Sequence, residues 1–264
     1  MRLEGKIALI TGAGSGIGRA LACEMNARGA RAVLVGRRTC VLEETRSLLA
    51  RPQSCVVIRA DITDAADRER LVRQMRALAG LDILINNAGV VMSGLLQTDD
   101  AEARRRMVET NLLAPMDLTQ ALLPLLKAHA PSRIVNVGSM FGDIAFPYFG
   151  AYSATKFAIR GWSDALRREL APLGIGVTYA APRGTRTPAA DGFRRLVDAF
   201  DMSLDPPEKV AYQIARAIAA DVRFVYPRGP ERLSLFLQRL MPRVIDQAVA
   251  KQMEKALQRL TAHA

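Results

Sequence analysis

Short aliphatic and β-branched runs alternate along this chain with longer stretches whose apolar residues recur every three or four positions. The first pattern suits strands buried on both faces, and the second suits helices that lay one face on a core. The runs Ile7–Ile10, Ala32–Val35, Cys55–Ala60, Leu81–Ile85, Arg133–Val137, Gly176–Ala180 and Arg223–Tyr226 read as strands. Between them, helices are predicted over 16–28, 40–50, 64–78, 99–128, 151–171 and 207–220. Such alternation predicts an α/β fold, a doubly wound parallel sheet of about seven strands with helices on both faces. Ligands of such sheets bind beyond the carboxyl ends of the strands, where the winding direction reverses.

No repeat, low-complexity tract or linker divides the chain. Residues 1–229 are read as one domain, and 230–264 as an amphipathic helical C-terminal extension. In that tail Leu233, Leu237, Leu240, Val244, Ala248 and Leu257 recur at helical spacing, with Arg239, Arg243, Lys251, Lys255 and Arg259 interspersed. Pro242 should kink or restart the helix. Three roles stay open for it: packing on the domain or a second subunit, closing a pocket, or lying on an anionic membrane.

Composition narrows the classes. With 264 residues, half of them hydrophobic, the chain can bury a large core. The net charge of +11 is spread, +6 over residues 1–182 and +5 over 183–264. With no basic run interleaved with aromatics, this argues against a nucleic-acid surface and remains compatible with anionic cofactors. Cys23, Cys40 and Cys55 are odd in number and lack CxxC spacing, as expected of free thiols in a reducing compartment. His129 and His263 are far apart without cysteine neighbours, so no metal site is expected. The N-terminus lacks a signal-type apolar run, and no run of about 18 apolar residues exists. The expectation is a cytoplasmic protein, with peripheral contact to the inner face of a membrane left open to the tail.

The candidate chemistry falls just after predicted strands. Thr11-Gly12-Ala13-Gly14-Ser15-Gly16-Ile17-Gly18 joins the first strand to a helix. Glycines there allow a tight turn and close approach of backbone to a pyrophosphate, which the helix N-terminus would face. This is a Rossmann-like dinucleotide site. The second strand ends in Gly36-Arg37-Arg38, with no carboxylate for a ribose 2′-hydroxyl but two guanidiniums suited to a 2′-phosphate. NADP(H) is therefore expected over NAD(H). Asp61 follows the third strand and could accept from an adenine amino group, with Ile62 along the ring edge, or could cap the next helix.

TGAGSGIG at 11–18, NNAG at 86–89, Asn111 in NLLAP, Ser139 after the fifth strand and YSATK at 152–156 occur in one order and spacing. Together they resemble the short-chain dehydrogenase/reductase (SDR) family across residues 11–187, about two-thirds of the chain. Tyr152 and Lys156 stand at i and i+4, sharing a helix face. A phenol ionises near pH 10, and a neighbouring ammonium, helped by the positive oxidised nicotinamide, is expected to lower that value. The resemblance implies that Tyr152 is the general acid/base, that Lys156 tunes it and binds the nicotinamide ribose, and that Asn111 holds a water of a proton relay. Ser139 would hold the substrate oxygen near Tyr152. Asn87 and Gly89 should line the cofactor cleft. At 182–187 the family's Pro-Gly is replaced by Pro182-Arg183, with Thr187 retained for the nicotinamide amide. If position 183 needs positive φ, arginine is awkward there.

Residues 188–206 are expected to cover the substrate. Phe193, Leu196, Val197, Phe200 and Met202 could line an apolar pocket there, and Arg194 and Arg195 could meet an acidic group. The opposite wall would be the stretch Met140–Phe149, which suggests a hydrophobic substrate. The leading expectation is an NADP(H)-dependent oxidoreductase interconverting a secondary alcohol and a ketone. The alternative is a cofactor-binding regulator or scaffold on the same fold. The resemblance also implies a homodimer or homotetramer built on helices 99–128 and 151–171.

Overall fold

The computed structural model describes residues 1–78, 80–98, 100–229 and 231–262. The start of the predicted fourth helix at Asp99, the tail's first residue Pro230, and His263 lie outside the described residues. Strands β1 (Ile7–Thr11), β2 (Arg31–Gly36), β3 (Val56–Arg59), β4 (Ile83–Asn86), β5 (Ser132–Val137), β6 (Ile175–Ala180) and β7 (Phe224–Val225) form one parallel sheet. Their order is β3-β2-β1-β4-β5-β6-β7. The chain winds outward one way from β1 to β3, then returns and winds the other way from β4. The reversal leaves a crevice past the carboxyl ends of β1 and β4.

Alternate strand residues serve the two faces. Ile10, Leu34, Ile83 and Ile85 pack against Leu21 and Met25 of α1 (Gly16–Ala27) and Ile214 and Ile218 of α9 (Pro207–Ala219). Leu9, Val33, Leu84 and Ile134 pack against Leu71 and Met75 of α3 (Ala65–Ala77) and Leu118 and Leu122 of α5 (Ala114–Ala128). Two buried faces explain why the strands read as continuous apolar runs. Each such side chain contributes roughly 2 kcal/mol on the transfer scale. Between β2 and β3 lies α2 (Thr39–Ser47), and α6 (Gly150–Leu170) joins β5 to β6.

The helix expected over 99–128 is interrupted. It forms α4 (Ala101–Val108), a π-helical turn Glu109–Leu113, and then α5. Pro115 has no N–H to close the α-helical bond to the Asn111 carbonyl, so the coil widens there. The expected cover of the pocket forms as α7 (Pro188–Asp191) and α8 (Arg194–Ala199), separated by the turn at Gly192-Phe193. In the tail, α10 (Glu231–Leu240) ends before Pro242, which opens α11 (Pro242–Ala262). The proline restarts the helix. α11 lies on α8: Ala256 is fully buried in one cluster with Leu196 and Phe200, and Met253 and Leu260 pack on it. Arg259 donates to the Ala199 carbonyl at 2.9 Å and pairs with Asp201 at 2.7 Å. The tail thus packs on its own domain at the pocket cover. No helix among the described residues is long and apolar enough to cross a membrane.

Candidate active site

A cleft of about 990 Å³ opens at the carboxyl ends of the strands. It brings together the glycine loop, Arg37, Arg38, Asp61, Ile62, Asn87, Gly89, Ser139, Tyr152, Lys156, Pro182 and Thr187, residues drawn from most of the sheet.

At one end, Gly12 and Gly16 adopt φ of +66° and +53°, the left-handed region that only glycine enters readily. A Cβ on Gly18 would lie 2.2 Å from the Gly12 carbonyl, so the loop can close only on glycine. Ser15 precedes α1 with an extended backbone and a side chain that caps nothing, leaving the first-turn N–H groups open to the cleft. Thr11 Oγ1 accepts from the N–H groups of Asn87 and Ala88, both at 3.0 Å, and Asn87 Nδ2 donates to the Thr11 carbonyl at 2.9 Å. Those bonds stitch the end of β4 to that of β1. Arg19 braces the loop from behind through the Gly14 carbonyl at 2.7 Å. Arg19 was not foreseen, because its partner is a backbone atom that no spacing rule exposes.

Arg37 and Arg38 are exposed at the rim, and among the described residues no carboxylate pairs with either. Asp61 does not cap α3. That role falls to Asp64, which accepts from Asp67 N, while Asp61 accepts from the N–H and hydroxyl of Thr63 at 3.0 and 2.8 Å. The loop 61–63 therefore lines the cleft with a held carboxylate.

The other end gathers the remaining polar groups. Tyr152 and Lys156 lie on the first turns of α6, with Lys156 Nζ 5.5 Å from the centre of the Tyr152 ring and donating to the Val137 carbonyl at 3.1 Å. The Ser139 hydroxyl accepts from Phe141 N at 3.1 Å and stands near enough to the Tyr152 phenol to favour its ionisation. Asn111, buried in the π-helical turn, accepts from Val90 N at 2.8 Å and donates to the Val90 carbonyl at 2.9 Å and to Thr155 Oγ1 at 3.2 Å. A Cβ on Gly89 would lie 3.2 Å from Asn111 Oδ1 and 3.8 Å from Lys156 Nζ. Pro115 has no N–H with which to take up the Asn111 carbonyl in the α-helical pattern.

In the chain without cofactor, burial governs the ionisation of this pair. Burial pushes the Tyr152 phenol up to about 12, only partly offset by the nearby Ser139 hydroxyl. Burial also pulls the Lys156 ammonium down to about 8. Burial disfavours phenolate and ammonium alike. The resting state is a protonated phenol, ready to donate.

Arg183 causes no strain. The left-handed non-glycine residues are Tyr148, Asp201 and Asp221, so neither Arg183 nor Gly184 has positive φ. Arg183 instead pairs with Asp205 at 3.0 Å and donates to the Arg228 carbonyl at 2.9 Å, tying the segment after β6 to the end of the pocket cover. Thr187 lines the cleft with its methyl against Gly16, where a Cβ would come within 2.8 Å. The apolar wall is aromatic: Phe141 stacks on Phe146 with centroids 5.3 Å apart, Phe146 meets Phe200 at 5.0 Å, and Phe149 meets Phe193 at 5.2 Å. Met202 joins that wall, whereas Arg194 and Arg195 are exposed and outside the cleft lining. Helical geometry turns them to solvent when Leu196 and Phe200 turn inward. Gln252 of α11 also reaches the cleft, a long-range approach with no signature in the sequence.

The profile of the family described as short chain dehydrogenase matches residues 6–196. The chain is 33% identical over 272 residues to a dehydrogenase/reductase SDR family protein 7-like of Anopheles gambiae, covering 96% of this chain and 84% of that one. It is 34% identical over 219 residues to oxidoreductase UcpA of Salmonella typhimurium, covering 82% and 81%. Among solved structures, a 3-ketoacyl-(acyl-carrier-protein) reductase from Brucella melitensis complexed with NADH superposes with a TM-score of 0.77 at 29% identity, over 84% of this chain and 96% of that one. A short-chain dehydrogenase from Streptomyces avermitilis gives 0.79 at 29% identity, over 95% and 96%. The glycine loop, the sheet order, the Ser–Tyr–Lys cluster and these similarities agree: the chain belongs to the short-chain dehydrogenase/reductase family of oxidoreductases.

Proposed function

We propose that this protein is an NADP(H)-dependent oxidoreductase that interconverts a secondary alcohol and a ketone on a hydrophobic substrate. The observation that carries the reading is the convergence of Ser139, Tyr152 and Lys156 at the inner end of one cleft, with the glycine loop and the exposed Arg37 and Arg38, unpaired among the described residues, at its rim. The cofactor fits: glycines clear its path, the first-turn N–H groups of α1 and the loop face its diphosphate, and Arg37 and Arg38 offer bidentate donors to a 2′-phosphate. When bound, nicotinamide supplies or accepts the hydride. Tyr152 then gives its proton to the carbonyl oxygen in reduction and takes it back in oxidation. Ser139 holds that oxygen within reach, and the Lys156 cation stabilises the tyrosinate as it forms. Asn111 presents its carbonyl to a water through which the proton is replaced. The aromatic wall excludes bulk water and favours an apolar substrate.

A carbonyl panel ordered by hydrophobicity, run with NADPH and with NADH, tests this reading. Reduction of bulky apolar ketones with NADPH preferred is expected; preference for NADH, or no turnover of any ketone, would overturn it. The pH profile is a second check. Lys156 loses its proton as pH rises through about 8, and a neutral amine cannot stabilise tyrosinate. Reductive kcat/KM should therefore be level below about 8 and fall up to about tenfold per pH unit above it. A flat profile to pH 10 would contradict the role given to Lys156.

Two further features belong to this reading. Leu113 and Phe157 are exposed on the π-helical turn and α6, and we place a homodimer or homotetramer contact there. On α10 and the start of α11, Leu233, Phe236, Leu240 and Val244 are exposed beside Arg232, Arg239 and Arg243, the pattern of a peripheral contact with anionic lipid. Replacing Leu233, Phe236 and Leu240 by serine should abolish cosedimentation with phosphatidylserine vesicles; wild-type protein left in the supernatant would remove the membrane contact.

A further inference from the structure

The turn that carries Ser139 is held from beneath by a second tyrosine. The β4–β5 ladder closes at the pair Asn86–Asn136, so Ser139 lies beyond the last β4 residue that could pair with its backbone. Tyr179, in β6 and fully buried, fills that gap. Its hydroxyl accepts from Ser139 N at 3.4 Å and donates to the Ser139 carbonyl at 3.1 Å. A buried phenol needs partners, and both of these lie on one residue. The ring fits because positions 138 and 142 are glycines: a Cβ on Gly138 would lie 2.2 Å from the ring, and one on Gly142 2.5 Å from its hydroxyl. The far end of the turn is anchored as well. Buried Asp143 pairs with Arg160 of α6 at 2.5 Å and accepts from the Tyr226 hydroxyl at 3.1 Å. The turn is thereby tied to the helix that bears Tyr152 and Lys156. Burial, and then the Asp143 carboxylate, push Tyr179 ionisation well upward, so its hydroxyl stays a donor at every physiological pH.

We propose that Tyr179 is a positioning residue, whose hydroxyl sets the backbone of Ser139 so that the serine hydroxyl meets Tyr152 and the substrate oxygen. This rests on the role given to Ser139 above. The test compares wild type, Tyr179→Phe, Ser139→Ala and the double variant. α-Tetralone and NADPH serve as the kinetic probe, and amide hydrogen exchange over 138–142 is the readout that needs no substrate. Loss of a hydrogen-bond partner should speed exchange in that peptide about tenfold and lower kcat about tenfold. The NADPH Kd should stay within about twofold, because the ring and the cofactor end of the cleft are untouched. In the Ser139→Ala background, Tyr179→Phe should cost nothing more, since a residue acting through Ser139 has nothing left to position. Unchanged exchange, or a full additive loss in the double variant, overturns the proposal. If Ser139→Ala alone keeps full turnover, the catalytic reading of Ser139 fails instead, and the exchange result still decides whether Tyr179 holds the turn.

Discussion

Replacing Tyr152 by Phe should lower reductive turnover by roughly 1,000-fold, within the span that positioned acid–base groups contribute. The substitution removes one oxygen and keeps the ring, which lies edge-on to Phe141 at 6.4 Å with Lys156 Nζ 5.5 Å from its centre. Packing is therefore preserved, and the loss isolates the proton. Ser139 cannot substitute, because an aliphatic hydroxyl is a far weaker acid than a phenol and its oxygen already accepts from Phe141 N. The cofactor end of the cleft lies outside the change, so NADPH affinity measured by fluorescence should be unaltered. A Phe variant that keeps more than about a tenth of wild-type kcat would remove Tyr152 as the proton donor. Wild-type protein that binds NADPH yet turns over no carbonyl substrate would instead favour a binding-only role for this fold.

The double variant Arg37→Ala/Arg38→Ala should raise the Kd for NADPH by about 100-fold while changing that for NADH by less than about threefold. Each guanidinium can make charge-assisted bonds to a 2′-phosphate, and neither has a carboxylate partner among the described residues to be left behind. Both are exposed, so solvent screens them, and the effect should shrink as salt rises. Titration of both cofactors at low and at physiological ionic strength checks this. Equal weakening of the two would show that the arginines attract diphosphate in general and do not select NADP(H).

Much of the cofactor end was legible in the sequence because its causes are local. A glycine loop between a strand and a helix implies φ values that Gly12 and Gly16 adopt, and the carboxyl end of β2 must face the cleft once the sheet is parallel. The pairing of Tyr152 with Lys156 followed from helical period. Asn111 was named, yet the break in its helix was not expected, although Pro115 four residues on is its visible cause. The sequence leaves Asp61 open to two roles, and the cap at Asp64 excludes one of them. Arg183 looked strained by analogy with glycine, whereas its backbone is ordinary and its side chain serves as a tie to Asp205. Tyr179 carried no signal at all, since its partners are reached across the sheet, 40 residues away in the chain.

The sequence by itself determined the parallel α/β architecture, the order of its elements, the glycine turn and the candidates for the chemistry. These depend on hydrophobic period, backbone sterics and neighbours within a few positions. Tertiary structure alone decided what those residues experience. It placed α11 on the pocket cover, brought Tyr179 under Ser139, and withdrew Tyr152 and Lys156 from water far enough to push one ionisation up to about 12 and the other down to about 8. The physical reason is that desolvation and long-range contact are set by everything packed around a group, and a linear pattern records only what is next to it in the chain.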